Sequence, residues 1–206
     1  MSLNGLLEKS PATLPILQAT FGLERESLRI GKDHRIAQTD HPACLGSRSF
    51  HPYIQTDYSE AQLELITPIA HSTKEALRFL GALTDVAGRS IDKSEYLWPL
   101  SIPPKLCETD IHIAKLEDDY ECYYRKHLAD VYGKTLQSMS GIHFNMELGK
   151  DLVASLFKES GYQSIIDFKN DIHLKLAQNF LRFRWLLTYL YGASPIAEEG
   201  FFSKTL

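Results

Sequence analysis

The chain has 206 residues, 44% of them hydrophobic and 23% charged, with a formal net charge of −4. That length supports one globular domain with a real core, or part of a larger one. The mild negative charge offers no general attraction to nucleic acid or to an anionic membrane surface, so neither is expected as a partner. The three cysteines, Cys44, Cys107 and Cys122, form no C-x-x-C pair and no zinc-like spacing, which fits a reduced cytoplasmic compartment. Residues 1–18 lack a basic segment followed by a continuous apolar run, so they do not read as a signal peptide. The most apolar stretch, Trp185 to Ala193, is too short to cross a bilayer.

Taken in chain order, Phe21–Ile30 reads as a strand followed by the polar turn Gly31-Lys32-Asp33-His34. Within it Glu24 and Glu26 stand two residues apart, and in an extended strand such residues point to one face. Leu23 then faces the other way. The stretch His41–Pro52, with Pro42, Gly46 and Pro52, reads as an ordered loop. A second strand is expected over roughly Glu60–Thr67, ending at Pro68, which cannot donate to a central ladder. It would line up Glu60, Gln62 and Glu64 on one face, with Leu63 and Leu65 opposite. Asp57 lies just ahead of it.

Ser72 and Glu75 form a capping box opening a helix, whose Ala76, Leu77, Leu80, Leu83, Val86 and Ala87 give one apolar face. Leu97–Pro104 is a stiff, proline-rich loop with Trp98 as its anchor. Asp118–Tyr132 reads as a helix stopped by Gly133. Next comes an alternating strand, in which Ser140, Ile142, Phe144, Met146 and Leu148 form a packed side and His143, Asn145 and Glu147 a wet side. Asp151–Ser160 is a short helix ending at Gly161. Ser164 with Asp167 caps a long helix to about Tyr191, with Leu174, Ala177, Phe180, Leu181 and Leu187 as a core-facing stripe. The final residues Phe201–Leu206 carry two phenylalanines with no following element to cover them, so the chain reads as cut short. Strands and helices mix without βαβ alternation. The fold class is therefore α+β, an antiparallel sheet with helices on one face.

Two acidic patches on strand faces are the chemical signal. Carboxylates held close repel, burial intensifies the repulsion, and a bound cation relieves it. Oxygen-rich sites suit Mg²⁺ or Mn²⁺, and magnesium sites commonly combine a few carboxylates with substrate phosphates. Glu24, Glu26, Asp57 and Glu64 supply oxygens, and His143 adds an imidazole. Glu60 either supports the site or faces solvent. Asn145 is a supporting or structural group. The sequence has no Walker A loop and no G-x-G-x-x-G, so a P-loop or Rossmann reading has no support, while a nucleotide could still be held through its metal ions.

Five motifs carry a family resemblance. They are Gly22-Leu23-Glu24-Arg25-Glu26; Thr56-Asp57-Tyr58-Ser59-Glu60 with Glu64 and Thr67-Pro68; Leu97-Trp98-Pro99-Leu100-Ser101; Ser140-Gly141-Ile142-His143-Phe144-Asn145; and Tyr191-Gly192-Ala193-Ser194-Pro195. In order and approximate spacing, from about Leu14 to Glu199, they resemble the bacterial glutamate–cysteine ligases, nearest in wording to the N-terminal part of the bifunctional branch of Gram-positive cocci. The resemblance implies ATP-dependent joining of L-glutamate to L-cysteine, with a γ-glutamyl phosphate formed and then displaced by the cysteine amine. It further implies several Mg²⁺ ions in a funnel of antiparallel sheet, as in the glutamine synthetase core. Glu24, Glu26, Asp57, Glu64 and His143 match its metal ligands or their neighbours. Tyr124 matches a tyrosine of the cysteine pocket, and Arg125 a group meeting anionic substrate atoms. The family's catalytic domain is well over twice this length, so residues 1–206 correspond to its N-terminal portion, and the chain alone is not expected to turn over.

Plainer readings accompany each residue. Glu24 and Glu26 could be surface acids paired with Arg25 or Arg29, and a lone histidine such as His143 is more often structural than a ligand. Tyr124 sits among Tyr120, Cys122 and Tyr123 in a helix, where aromatics usually pack. Two other functions compete with a ligase: a two-carboxylate glycoside hydrolase, which needs no metal, and a non-catalytic fragment that binds nucleotide or metal or only assembles with another chain.

Overall fold

The computed structural model describes residues 19–192, 196–198 and 201. It divides the chain into two compact units, one of Phe21–Asn145 with Ile196–Leu206 and one of Met1–Thr20 with Met146–Pro195.

The first unit is built around β1 (Thr20–Gly31). It is flanked by β2 (Ile54–Thr56), β3 (Gln62–Ile66) and β4 (Glu95–Leu97) in the order β2-β3-β1-β4, and β5 (Ile142–Glu147) also pairs with β1. The β1–β3, β1–β4 and β2–β3 ladders are all antiparallel. Along β1 and β5, Glu26 N–H donates to Gly141 O, while Gly22 lies beside Asn145. Residue numbers therefore fall along β5 as they rise along β1.

Each face of this sheet has its own partner. Leu23, Leu63 and Leu65 are buried under helix α1 (Thr73–Ser90), which contributes Ala76, Leu80, Leu83 and Ala87. Truncating a buried leucine of this kind typically costs about 2–5 kcal/mol. Ser72 Oγ accepts from Glu75 N–H at 3.2 Å, and Glu75 reaches back to His71 N–H at 2.8 Å. Leu77 and Val86, expected on the buried stripe, are exposed. The stripe that meets the sheet is Ala76–Leu80–Leu83–Ala87, and Leu77 and Val86 lie outside it. On the other face, Leu28 and Ile30 pack with Tyr58, Ala61, Leu106 and Ile111, joined by Leu128 and Ala129 of helix α2 (Asp119–Tyr132). That helix is capped by the Asp118 side chain and ends at Gly133, whose φ of +78° suits glycine. A single turn, α3 (Lys134–Gln137), follows it.

Several expectations need correction. The second strand begins at Gln62, not Glu60, because Asp57–Gln62 closes a tight turn: Asp57 N–H donates to Gln62 O and Gln62 N–H to Ser59 O. Ile54–Thr56 and Glu95–Leu97 are strands to which the sequence pattern assigned no element, apart from Leu97 at the start of the expected proline-rich loop. They are three residues each, too short to display periodicity. Trp98 does anchor its loop, with Nε1 donating to Ile102 O at 2.8 Å. The expected packed side of β5 is open, since Ile142, Phe144 and Met146 are all exposed. Phe201, read as uncovered, is buried, and Phe202–Leu206 lie outside the described residues, as do Ala193–Pro195 of the fifth motif and residues 1–18.

In the second unit, α4 (Lys150–Ser160) and α5 (Ile165–Tyr191) pack through Leu152, Val153 and Leu156 against Phe168 and Ile172. Ser164 Oγ caps α5 by accepting from Asp167 N–H. The stripe expected to continue to Leu187 is not covered among the described residues: Leu174, Phe180, Leu181 and Leu187 are 64%, 57%, 59% and 48% exposed. No helix among the described residues is long and apolar enough to cross a membrane.

Candidate metal centre

Strand geometry makes the site. Glu24 and Glu26 project from one face of β1, and Glu64 of β3 stands directly opposite Glu26 in the antiparallel register. On the other edge of β1, β5 brings in His143 and Asn145. Glu24 Oε2 accepts from His143 Nδ1 at 2.9 Å, and Glu24 Oε1 accepts from Asn145 Nδ2 at 2.8 Å. Glu26 Oε2 accepts from Gly141 N–H at 2.8 Å and Gln62 Nε2 at 3.2 Å, which turns Oε1 toward His143 Nε2, 3.7 Å away. One donor atom each from Glu24, Glu64 and His143 lies within 4.8 Å of the others.

The electrostatics are those of a crowded, half-buried acid cluster. Glu64 is pushed up to about 7, chiefly by burial and then by Asp57, Glu24 and Glu26. Burial also raises the Glu26 and Asp57 carboxyls. The Gly141 N–H opposes the shift at Glu26, and the Arg125 guanidinium opposes it at Asp57. His143 is raised first by its hydrogen bond to Glu24. In the tautomer whose Nδ1–H donates to Glu24, neutral His143 keeps its Nε2 lone pair for a ligand. Carboxylate oxygens with one imidazole are a donor set suited to Mg²⁺ or Mn²⁺. A divalent ion would replace the proton that burial forces onto Glu64.

The remaining candidates are placed as follows. Asp57, in the turn after β2, interacts electrostatically with Glu26, Glu64 and His143. Asn145 touches Glu24 as above. Glu60 does not join the acids. Off the strand, its carboxylate accepts from His41 N–H, Arg48 Nη1 and Lys115 N–H, and it is buried. Arg125 spends Nε on the Asp57 carbonyl at 2.8 Å and Nη1 on Glu121 Oε2 at 2.5 Å. It lines an open hollow of about 490 Å³ with Ser49, Phe50, Thr56, Tyr120 and Glu121. Tyr124 is half exposed and lines a separate hollow with Tyr120, Tyr123 and His127, which none of the acidic ligand candidates borders.

Two groups that hold Glu26 were not among the expected site residues. Gln62 shares the face of Glu64 by the same two-residue spacing, so its position was readable, but the hydrogen bond its Nε2 donates to Glu26 was not. Gly141 acts through its backbone N–H: a Cβ there would meet His143 Nε2 at 3.4 Å and both Glu26 oxygens at 3.7 Å, ordinary van der Waals distances.

The glutamate–cysteine ligase family model matches residues 5–206. The chain belongs to the glutamate–cysteine ligase family. It is 68% identical over its whole length to the glutathione biosynthesis bifunctional protein GshAB of Streptococcus mutans, and 50% identical over 98% of its length to that of Enterococcus faecalis. A crystal structure of a bifunctional glutathione synthetase from Pasteurella multocida superposes with a TM-score of 0.85 at 44% identity, over 94% of this chain and 25% of that one. A glutamate–cysteine ligase from Francisella tularensis in complex with AMP gives 0.82 at 34% identity, over 87% of this chain and 36% of that one. The chain spans only 28% and 27% of the two GshAB proteins. The α+β architecture is thus that of solved members of this ligase family.

Proposed function

We propose that residues 1–206 form the N-terminal portion of a glutamate–cysteine ligase catalytic domain and supply the acidic, cation-binding wall of its active site. The reaction would be ATP-dependent ligation of L-glutamate through its γ-carboxylate to the amine of L-cysteine, the first step of glutathione biosynthesis. The observation that carries this reading is the convergence of Glu24, Glu64 and His143 donor atoms within 4.8 Å, on a face where Glu64 is pushed up to about 7.

The physical logic is charge matching. ATP and the γ-carboxylate of glutamate are both anions, and a wall of carboxylates repels them. Mg²⁺ or Mn²⁺ held by Glu24, Glu26, Asp57, Glu64 and His143 would neutralise phosphate charge and make the γ-phosphoryl group electrophilic. The chain's own part is orientation. Gly141 N–H and Gln62 fix Glu26, while Asn145 and His143 fix Glu24. Arg125 is proposed as the group meeting an anionic substrate atom in the hollow it lines, and Tyr124 as a wall of the cysteine pocket. A cytoplasmic, ATP-supplied setting fits this chemistry.

Isothermal titration of the chain with MnCl₂, and then with ATP in the presence of MgCl₂, tests the reading. Saturable heat that Glu64→Gln abolishes supports it, and absence of any metal binding at millimolar MnCl₂ overturns it. A coupled assay for ADP release with glutamate, cysteine and Mg-ATP is expected to show no family-like turnover from this chain alone. A second reading, a part that binds metal or nucleotide only once assembled with more polypeptide, is favoured by the exposed apolar half of α5. In that case the heat of binding appears only after such an assembly forms.

A further inference from the structure

We infer that Glu60 is a positioning residue, whose buried carboxylate anchors the tip of the β2–β3 hairpin and so sets where Asp57 and Glu64 stand on the acidic wall. What those acids bind rests on the function proposed above; the anchoring rests on contacts alone. Glu60 Oε1 accepts from His41 N–H at 2.9 Å and Arg48 Nη1 at 2.5 Å, and Oε2 accepts from Lys115 N–H at 2.9 Å. Its backbone is held as well, with N–H donating to His112 O at 2.8 Å and O accepting from Arg29 Nη2 at 2.9 Å. One residue therefore ties the hairpin to β1, to the 41–48 loop and to the 112–115 segment.

The same loop grips the hairpin immediately before Asp57. Thr56 N–H donates to Arg48 O at 3.0 Å, and Thr56 Oγ1 is hydrogen-bonded to His41 Nδ1 at 2.8 Å. On the far side Arg125 Nε holds the Asp57 carbonyl. Asp57 N–H closes the turn onto Gln62 O at 2.9 Å, two residues ahead of Glu64. The acids on the two arms of the hairpin thus inherit their separation from a tip that Glu60 pins.

The choice of residue follows from valence. A carboxylate has lone pairs enough for three N–H donors arriving from separate segments, and a glutamine offers one acceptor oxygen and an unwanted donor. Pairing with Arg48 cancels its charge, so the anchor adds no repulsion to the acids it positions. The donor atoms that converge are those of Glu24, Glu64 and His143, and the Glu60 carboxylate is held instead by the N–H groups of His41, Arg48 and Lys115.

Hydrogen exchange and metal titration on the full chain separate this role from general support. In Glu60→Leu the Asp57 and Gln62 amides should exchange more than about tenfold faster while Arg25 and Leu65 in the β1–β3 ladder keep their protection. Mn²⁺ affinity should fall by about tenfold, as is common when groups behind a metal ligand are removed. Glu60→Gln, which keeps one acceptor, should lie between Glu60→Leu and the natural chain in both readouts. Leu83→Ala, which weakens the opposite face under α1, should lower the melting temperature without moving either. Unchanged Asp57 exchange in Glu60→Leu, or equal effects in Leu83→Ala, overturns the inference. Should the natural chain bind no Mn²⁺, the function proposed above fails, and the exchange pattern still decides whether Glu60 anchors the hairpin. If Glu60→Leu fails to melt cooperatively, Glu60→Gln carries the same comparison.

Discussion

Two sets of acids in the same compact unit are treated in opposite ways. Glu95 and Glu60 are buried against arginines: Arg29 meets Glu95 at 2.9 Å with side-chain exposures of 1% and 4%, and Arg48 meets Glu60 at 2.5 Å. Glu24, Glu26 and Glu64 converge from adjacent strands with Asp57 nearby, and their partners are amides, one imidazole and each other. The sheet has arginines to spend, since Arg29 lies on the same strand as Glu24 and Glu26. A cluster left without one is unstable as a set of anions and becomes stable when a proton or a cation enters. The arginine-paired acids tie separate segments together, and the clustered ones carry a repulsion that a proton or a cation would relieve.

The largest effect that would sharpen this contrast is at Arg29. Glu95→Ala leaves the buried guanidinium without its counter-ion, and chemical denaturation should show a loss of about 3–5 kcal/mol, the usual cost of breaking a buried pair. A loss below 1 kcal/mol would mean that solvent reaches Arg29 and that the two sets of acids are not so different. Next in size is the metal. Mn²⁺ at about a hundred times its dissociation constant should stabilise the chain by about 2.7 kcal/mol, read as a rise in melting temperature. Glu64→Gln or Glu24→Gln should remove that rise.

A smaller effect lies in pH. A carboxyl raised to about 7 in the fold and near 4.5 when unfolded makes the folded state hold the extra proton between those values. Metal-free stability should therefore fall as pH rises from about 5 to 8. His143, also raised, adds to the same slope, because its contribution is complete below the unfolded value and lost through the folded one. Glu64→Gln should flatten the slope and leave the metal-free chain more stable than the natural one at pH 8. Mn²⁺ affinity should run the other way, rising through pH 7 as the proton leaves. A melting temperature that climbs with pH in the absence of metal would break the comparison. Smallest of all is the exposed pair Arg35–Asp110. Arg35→Ala should leave the melting temperature unchanged, since solvent-exposed ion pairs contribute little.

Much of the candidate centre was legible because strand periodicity is a local property. Spacing of two puts Glu24 with Glu26 and Gln62 with Glu64 on common faces before any pairing is known, with Leu23, Leu63 and Leu65 opposite. The helix caps at Ser72 and Ser164 were equally local, each a side chain accepting from an N–H three residues on. Glu60 shows where that reading stops. Period two carried it onto the acidic face, but the turn from Asp57 to Gln62 rotates it away, and turn geometry is decided by hydrogen bonds that the pattern does not encode. The open flank of α5 is a different kind of miss. Apolar spacing at Leu174, Phe180 and Leu187 says that a face wants covering and says nothing about what covers it.

By itself, then, the order of residues determined which side chains share a strand face, where helices begin, and which family the motifs belong to. Only the tertiary structure decided that Glu26 stands against Glu64, that His143 and Asn145 reach Glu24 across more than a hundred residues of chain, and that Glu60 pins the hairpin rather than lining the wall. The reason is that alternation and capping are set within a few residues. Register and long-range seating depend on how distant segments lose water and find partners together.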